Sequence, residues 1–158
     1  MNFSKLFASL ALATVATISP AFASTGNEVT NGQRALWNTI EAQGTTINVG
    51  ECEETDAYGW FNSRTNRIVI CTNVATDVDT RWETLRHEAV HLAQRCENPA
   101  MESTLLKHQW LFNNGLQSDW SFIQEAYDQE DHMIELEAFT LMRESNQTIA
   151  AVVNRACN

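Results

Sequence analysis

His87-Glu88-Ala89-Val90-His91 sets two imidazoles four residues apart, with a carboxylate beside the first. Residues at that spacing lie one above the other on an α-helix, so both rings can converge on one ion. Two neutral imidazoles and a carboxylate suit Zn2+, with a fourth position left for water. Zinc brings the pKa of such a water to about 7 and polarises a carbonyl beside it. Glu88 flanks that position without being a ligand. It can take the proton of the attacking water and pass it to a leaving amine.

The helix that must present this motif is legible over residues 80–96. Thr80 and Glu83 have the spacing of a capping box. Trp82, Leu85, Ala89, Leu92 and Cys96 form an apolar stripe opposite the two histidines. Asn98-Pro99 stops the helix. Upstream, residues 28–43 have helical periodicity and end at Gly44, and the β-branched run 45–49 reads as a strand. Residues 58–61 and 67–71 are short β-like runs, and the turn-forming residues 62–66 between them make a hairpin. Downstream, residues 101–114 read as a second helix. The pattern is helical again from Asp119, with a break near Asp128 and a last long helix over 130–146. Strands early and helices late give an α+β class, a small antiparallel sheet packed on the motif helix with further C-terminal helices.

Around residues 85–94 and again around Glu135-Leu136-Glu137-Ala138-Phe139 the chain resembles the zincin metallopeptidases. That resemblance implies a zinc-dependent peptidase with Glu88 as general base and a strand edge that aligns the substrate, for which residues 67–71 are the candidate. One zincin branch continues the motif with a glycine and a third histidine. Gln94 and Glu97 stand at those positions here, so the fit is poor and Glu97 reads as an ordinary helix-end carboxylate. The gluzincin branch takes a glutamate from a later helix, with a small residue three positions on. Glu135, with Ala138 at that distance, matches. The direction set by Ile134, Ala138, Leu141 and Met142 also lies nearer Glu135 than Glu137. Glu135 is therefore the favoured third ligand and Glu137 the alternative.

His132, Tyr127 and Tyr58 are rival donors for a developing oxyanion. His108 is the remaining histidine. Asp128 and Asp131 are candidates to accept the second N–H of a ligand histidine. The five tryptophans read mainly as core, with Trp60 at the hairpin able to touch a ligand. No G-x-S-x-G occurs, and every cysteine has a disulfide explanation.

The 158 residues amount to one domain by size. Lys5, the apolar run 6–18 and Ala21-Phe22-Ala23 describe a secretory signal cut after Ala23, too short to span a bilayer. The domain is then 24–158, secreted or periplasmic, with no membrane attachment after cleavage and expected to be a monomer. A net charge of −10, one unit more negative without Lys5, repels nucleic acid. Four cysteines in an exported small domain suggest two disulfides. Cys52–Cys71 would bracket the hairpin region, and Cys96–Cys157 would tie the chain end to the motif helix. The expected partner is a peptide or protein substrate. Rival functions are a non-catalytic zincin-fold binding module and a zinc hydrolase acting on cell-wall peptides or amides.

Overall fold

The computed structural model describes residues 18–22, 29–53, 56–103, 105–106, 110–111, 113 and 115–158. The leader expected over residues 1–23 lies mostly outside them, as does His108.

Helix α1 runs over Asn31–Ala42, later than the periodicity suggested. Thr30 is its N-cap, accepting from the Gln33 amide at 3.2 Å, and the Gln33 side chain accepts from the Thr30 amide at 2.8 Å. This reciprocal pair satisfies two donors that the first turn leaves unpaired. Gly44, with φ of 71°, turns the chain from α1 into β1 in a conformation that favours glycine.

Strands β1 (Thr46–Gly50), β2 (Gly59–Asn62) and β3 (Arg67–Cys71) form one sheet in the order β1-β3-β2. The β2–β3 hairpin is antiparallel, but β1 runs parallel to β3, so the sheet is mixed rather than antiparallel. Its centre is β3, the strand expected at the edge. The free edge nearest the motif helix is β2. Residues 67–71 are the most apolar of the three runs, and burial on both sides suits such a run to the middle of a sheet.

Helix α2 covers Val78–Glu97. It begins before Thr80 because Asp77 is the N-cap, accepting from the Thr80 amide at 2.8 Å. The stripe residues Trp82, Leu85, Ala89 and Leu92 are buried, as expected, but so is every residue from His87 to Gln94. The sheet and the helices over His132–Leu141 and Asn146–Cys157 pack around this helix and cover the histidine side too.

The helix expected over 101–114 does not form as such. Met101 has φ of 59°, and residues 101–103 and 105–106 are not helical, whereas Trp110, Leu111 and Asn113 are. Three helices follow: α3 (Gln117–Ala126), α4 (His132–Leu141) and α5 (Asn146–Cys157). The break near Asp128 is present. The long helix expected to reach residue 146 instead stops at Leu141. Ser145 there starts α5 by accepting from the Thr148 amide, and Arg86 of α2 donates to the Met142 carbonyl at 2.6 Å. An N-cap and a cation on the preceding carbonyls favour a new start over a continued helix. The class is α+β, with five α-helices among the described residues.

One core joins α1, β3, α2 and α5 through Leu36, Ile40, Ile68, Ile70, Leu85, Ile149 and Val153. Phe22, in a 3-10 turn over Pro20–Phe22, belongs to the same core. Both expected disulfides are present, Cys52–Cys71 and Cys96–Cys157. The first joins the parallel ends of β1 and β3, and the second joins the last turns of α2 and α5. No helix among the described residues is long and apolar enough to cross a membrane.

Cys96–Cys157 links residues 61 apart and Cys52–Cys71 residues 19 apart. Replacing both members of the longer bridge by serine is expected to lower unfolding stability by about 2–4 kcal/mol. Replacing the shorter pair is expected to cost less. Urea denaturation of the two double variants beside the parent chain measures both.

Candidate metal centre

Helix α2 supplies His87 and His91, and α4 supplies Glu135 from its first turn. The Nε2 atoms of the two histidines stand 3.1 Å apart. Glu135 Oε2 lies 3.2 Å from His87 Nε2, and Oε1 lies 3.4 Å from His91 Nε2. All three residues are buried, and their ligand atoms fall within 4.8 Å of one another. Such a group can hold a metal ion.

Hydrogen bonding settles which nitrogen of His91 carries the proton. Gln94, one turn on, is fully buried, and its Nε2 donates to the Ile134 carbonyl at 3.0 Å and to Glu137 at 2.9 Å. Both partners are acceptors, so the amide cannot be flipped. Its Oε1 therefore faces His91 Nδ1 at 2.7 Å and requires a proton there. In the neutral ring Nε2 is then a lone pair aimed at His87 and Glu135. Glu135 Oε2 is sealed from solvent, and among the described residues no donor meets it in hydrogen-bonding geometry. Lone pairs meeting in a buried space need a cation between them, a proton or a metal. The donor set fits zinc on this ground.

Without a metal, the proton takes that place. Burial pushes His91 down, but the Glu135 carboxylate outweighs it and raises His91 to about 9. Burial works against the charge of Glu135 as well, yet the two imidazoles hold it down at about 2. Glu88 is raised, first by burial and further by Glu135, while the histidines and the Phe61 amide oppose the shift. The ladder explains that amide. Cys71 N donates to Tyr58 O, so pairing alternates along β2 and leaves the Gly59 and Phe61 groups facing away from β3. Phe61 N–H is thus free to reach Glu88.

The other expected residues separate. Glu137 is more deeply buried than Glu135 (0% against 8% exposed) yet points elsewhere. Its carboxylate holds Gln94 and accepts from the Leu106 amide at 2.6 Å. Glu97, Asp128 and Asp131 are exposed, and Gln94 has the partner role expected of an aspartate. His132 spends Nε2 on the Tyr127 carbonyl and packs edge-on to Trp120, so it does not join the ligand group. Tyr127 is half-buried, and its hydroxyl is raised by burial and then by the charges of Glu135 and Glu88. Tyr58, just before β2, and Trp60 on β2 are exposed, and Trp110 is exposed as well, so the tryptophans are not all core. The Phe139 ring meets His87 edge-on at 4.7 Å.

Sequence reasoning took Glu137 only as an alternative ligand and missed the hydrogen-bonded role it shares with Gln94. The available signal was a polar residue seven positions after His87, on the same helical face as both histidines.

The molecule is thus an α+β domain built round a buried His-His-Glu group that can hold a cation. It belongs to the family described as a domain of unknown function, DUF8637, matching it over residues 29–158. No curated protein matches the chain, and no solved structure does.

Zinc titration of the metal-free protein is expected to saturate at one ion. Glu135→Ala should abolish tight binding, whereas Gln94→Ala should weaken it by about 10–100-fold. The ion must displace the proton of His91, whose pKa is about 9 in the metal-free site. Affinity should therefore rise about tenfold per pH unit up to that value, with proton release seen by calorimetry in two buffers.

Proposed function

We propose that this chain is a zinc-dependent peptidase of the zincin kind, gluzincin-like in taking Glu135 from a later helix, and that it works outside the cytoplasm. The observation that carries the reading is the placement of Glu88. A buried carboxylate of raised proton affinity sits beside the His87–His91–Glu135 group, on the side where the free edge of β2 arrives. Zinc bound there would polarise the scissile carbonyl and acidify water.

Glu88 takes the proton of the attacking water on its carboxylate and delivers it to the departing amine. Its raised pKa brings proton affinity nearer to neutral pH, where such a base is effective. The Phe61 N–H holds the carboxylate in place between the two transfers. The outward-facing N–H and carbonyl of Gly59 and the carbonyl of Phe61 on β2 offer a strand edge along which an extended peptide can pair. Among the three candidate oxyanion donors we favour Tyr127, whose hydroxyl feels the charges of Glu135 and Glu88. Its pKa, raised first by burial and then by Glu135 and Glu88, keeps it a neutral O–H at working pH. The two disulfides support an oxidising compartment, in line with the signal-like residues 1–23.

Zinc-loaded protein is expected to cleave an unfolded protein, and Glu88→Gln is expected to lower kcat by at least about 100-fold while still binding one zinc. Tyr127→Phe should lower kcat by a smaller factor with KM nearly unchanged. Cleavage of wall-derived peptides with none of unfolded proteins would move the substrate to the cell wall. Zinc binding with no hydrolysis of either would make the domain a binding module.

A further inference from the structure

Phe22 sits in the middle of the core, although the residue pattern puts it at the end of a leader. Its ring is 1% exposed and meets Trp37 and Trp82 edge-on, with centroids at 5.4 and 4.6 Å. The Phe22 amide closes a tight turn onto the Ser19 carbonyl at 2.9 Å. One residue before the ring, the Ala21 carbonyl accepts from Arg81 Nη1 at 2.7 Å. Both indole N–H groups are buried and meet no acceptor among the described residues. Settled cores seldom leave two such donors unpaired. The family match begins at residue 29, so the shared domain contains both tryptophans and Arg81 but not the ring that fills the space between them.

We infer that the space between Trp37 and Trp82 is a peptide-binding pocket whose occupant is the chain's own segment 19–22, and that cutting after Ala23 turns that segment from part of the core into a separable ligand. The pocket recognises an aromatic side chain between two indoles. It also recognises the carbonyl one residue earlier, which accepts from the Arg81 guanidinium. Arg81 is held independently of this ligand, since Nε donates to Ala75 O at 2.7 Å and Nη2 to Thr76 O at 2.8 Å. The guanidinium therefore stays in position when the segment leaves. A ring-sized space in a close-packed core is a poor place for water and a good one for the ring that fitted it. The metal centre plays no part in this inference, so failure of the peptidase reading leaves it standing.

The test uses the full chain expressed with its leader and recovered from outside the cytoplasm. Its intact mass is expected to correspond to cleavage after Ala23. A synthetic peptide of residues 18–22, acetylated and amidated, is then titrated in while indole fluorescence and Tm are followed. Saturable binding with a raised Tm is expected, and the same peptide carrying Phe22→Ala should bind at least about tenfold more weakly. A mass that still includes Phe22 overturns the inference, because the ring is then an ordinary core residue. So does absence of saturable binding, or equal binding of the two peptides. Should the processed chain arrive unfolded, return of its near-UV circular dichroism on adding the Phe22 peptide supports the inference, and no return overturns it.

Discussion

Within about one helical turn, this protein buries two imidazoles and a carboxylate whose lone pairs face one another. Uncompensated, that arrangement is among the most costly a protein interior can hold. A cation in the middle reverses the sign, because each lone pair then has a partner. The proton affinities of His91 and Glu135 move in opposite directions for this reason, one up and one down, as each stabilises the other's charged form. His87, His91 and Glu135 are each only 8% exposed, so little solvent is on hand to screen the missing charge.

The surrounding elements are fitted to that point. Gly59 lets β2 lie close against α2. A Cβ there would run into the Val69 carbonyl and come within 2.8 Å of Thr84 Cγ2, one turn before Glu88. The close approach brings the Phe61 amide to Glu88, so a missing side chain on a strand determines how a carboxylate on a helix is held. On the opposite side, the Leu106 amide, Glu137 and Gln94 form a chain of hydrogen bonds ending on His91. Glu137 resembles a ligand by type and position, and its work is to fix the orientation of Gln94.

The motif helix, the hairpin, both disulfides and the trio of His87, His91 and Glu135 were legible in the sequence, because each depends on short-range spacing or on a chemical type with few uses. What was not legible depends on tertiary context. Burial of the histidine side of α2 cannot be seen in its periodicity, which shows one apolar stripe and one polar face. Strand order is only hinted at by local pattern: the apolar run 67–71 suits a central strand, but its partner β1 and the parallel pairing are seen only in the fold. Helix boundaries shifted where a cap competed, Asp77 with Thr80 at one helix and Ser145 with continued periodicity at another. Helical spacing suggested Glu135 over Glu137, yet both are buried, and only the partner of each separates their roles.

The bridge between Cys96 and Cys157 encloses Glu135 but neither histidine. His87 and His91 are held together by a single turn of helix whatever the state of the thiols. Glu135 reaches them through tertiary packing, on a stretch of chain that the bridge closes into a loop. Closing the loop removes conformations in which α4 wanders from α2, and so raises the effective concentration of the carboxylate at the imidazole pair. Oxidation and ion capture are thus thermodynamically coupled, and the coupling runs both ways. An ion held by all three ligands keeps the cysteines adjacent, and the closed bridge tightens the hold on the ion. Opening the bridge would loosen that loop, so reduction of the disulfide should weaken the hold on the ion.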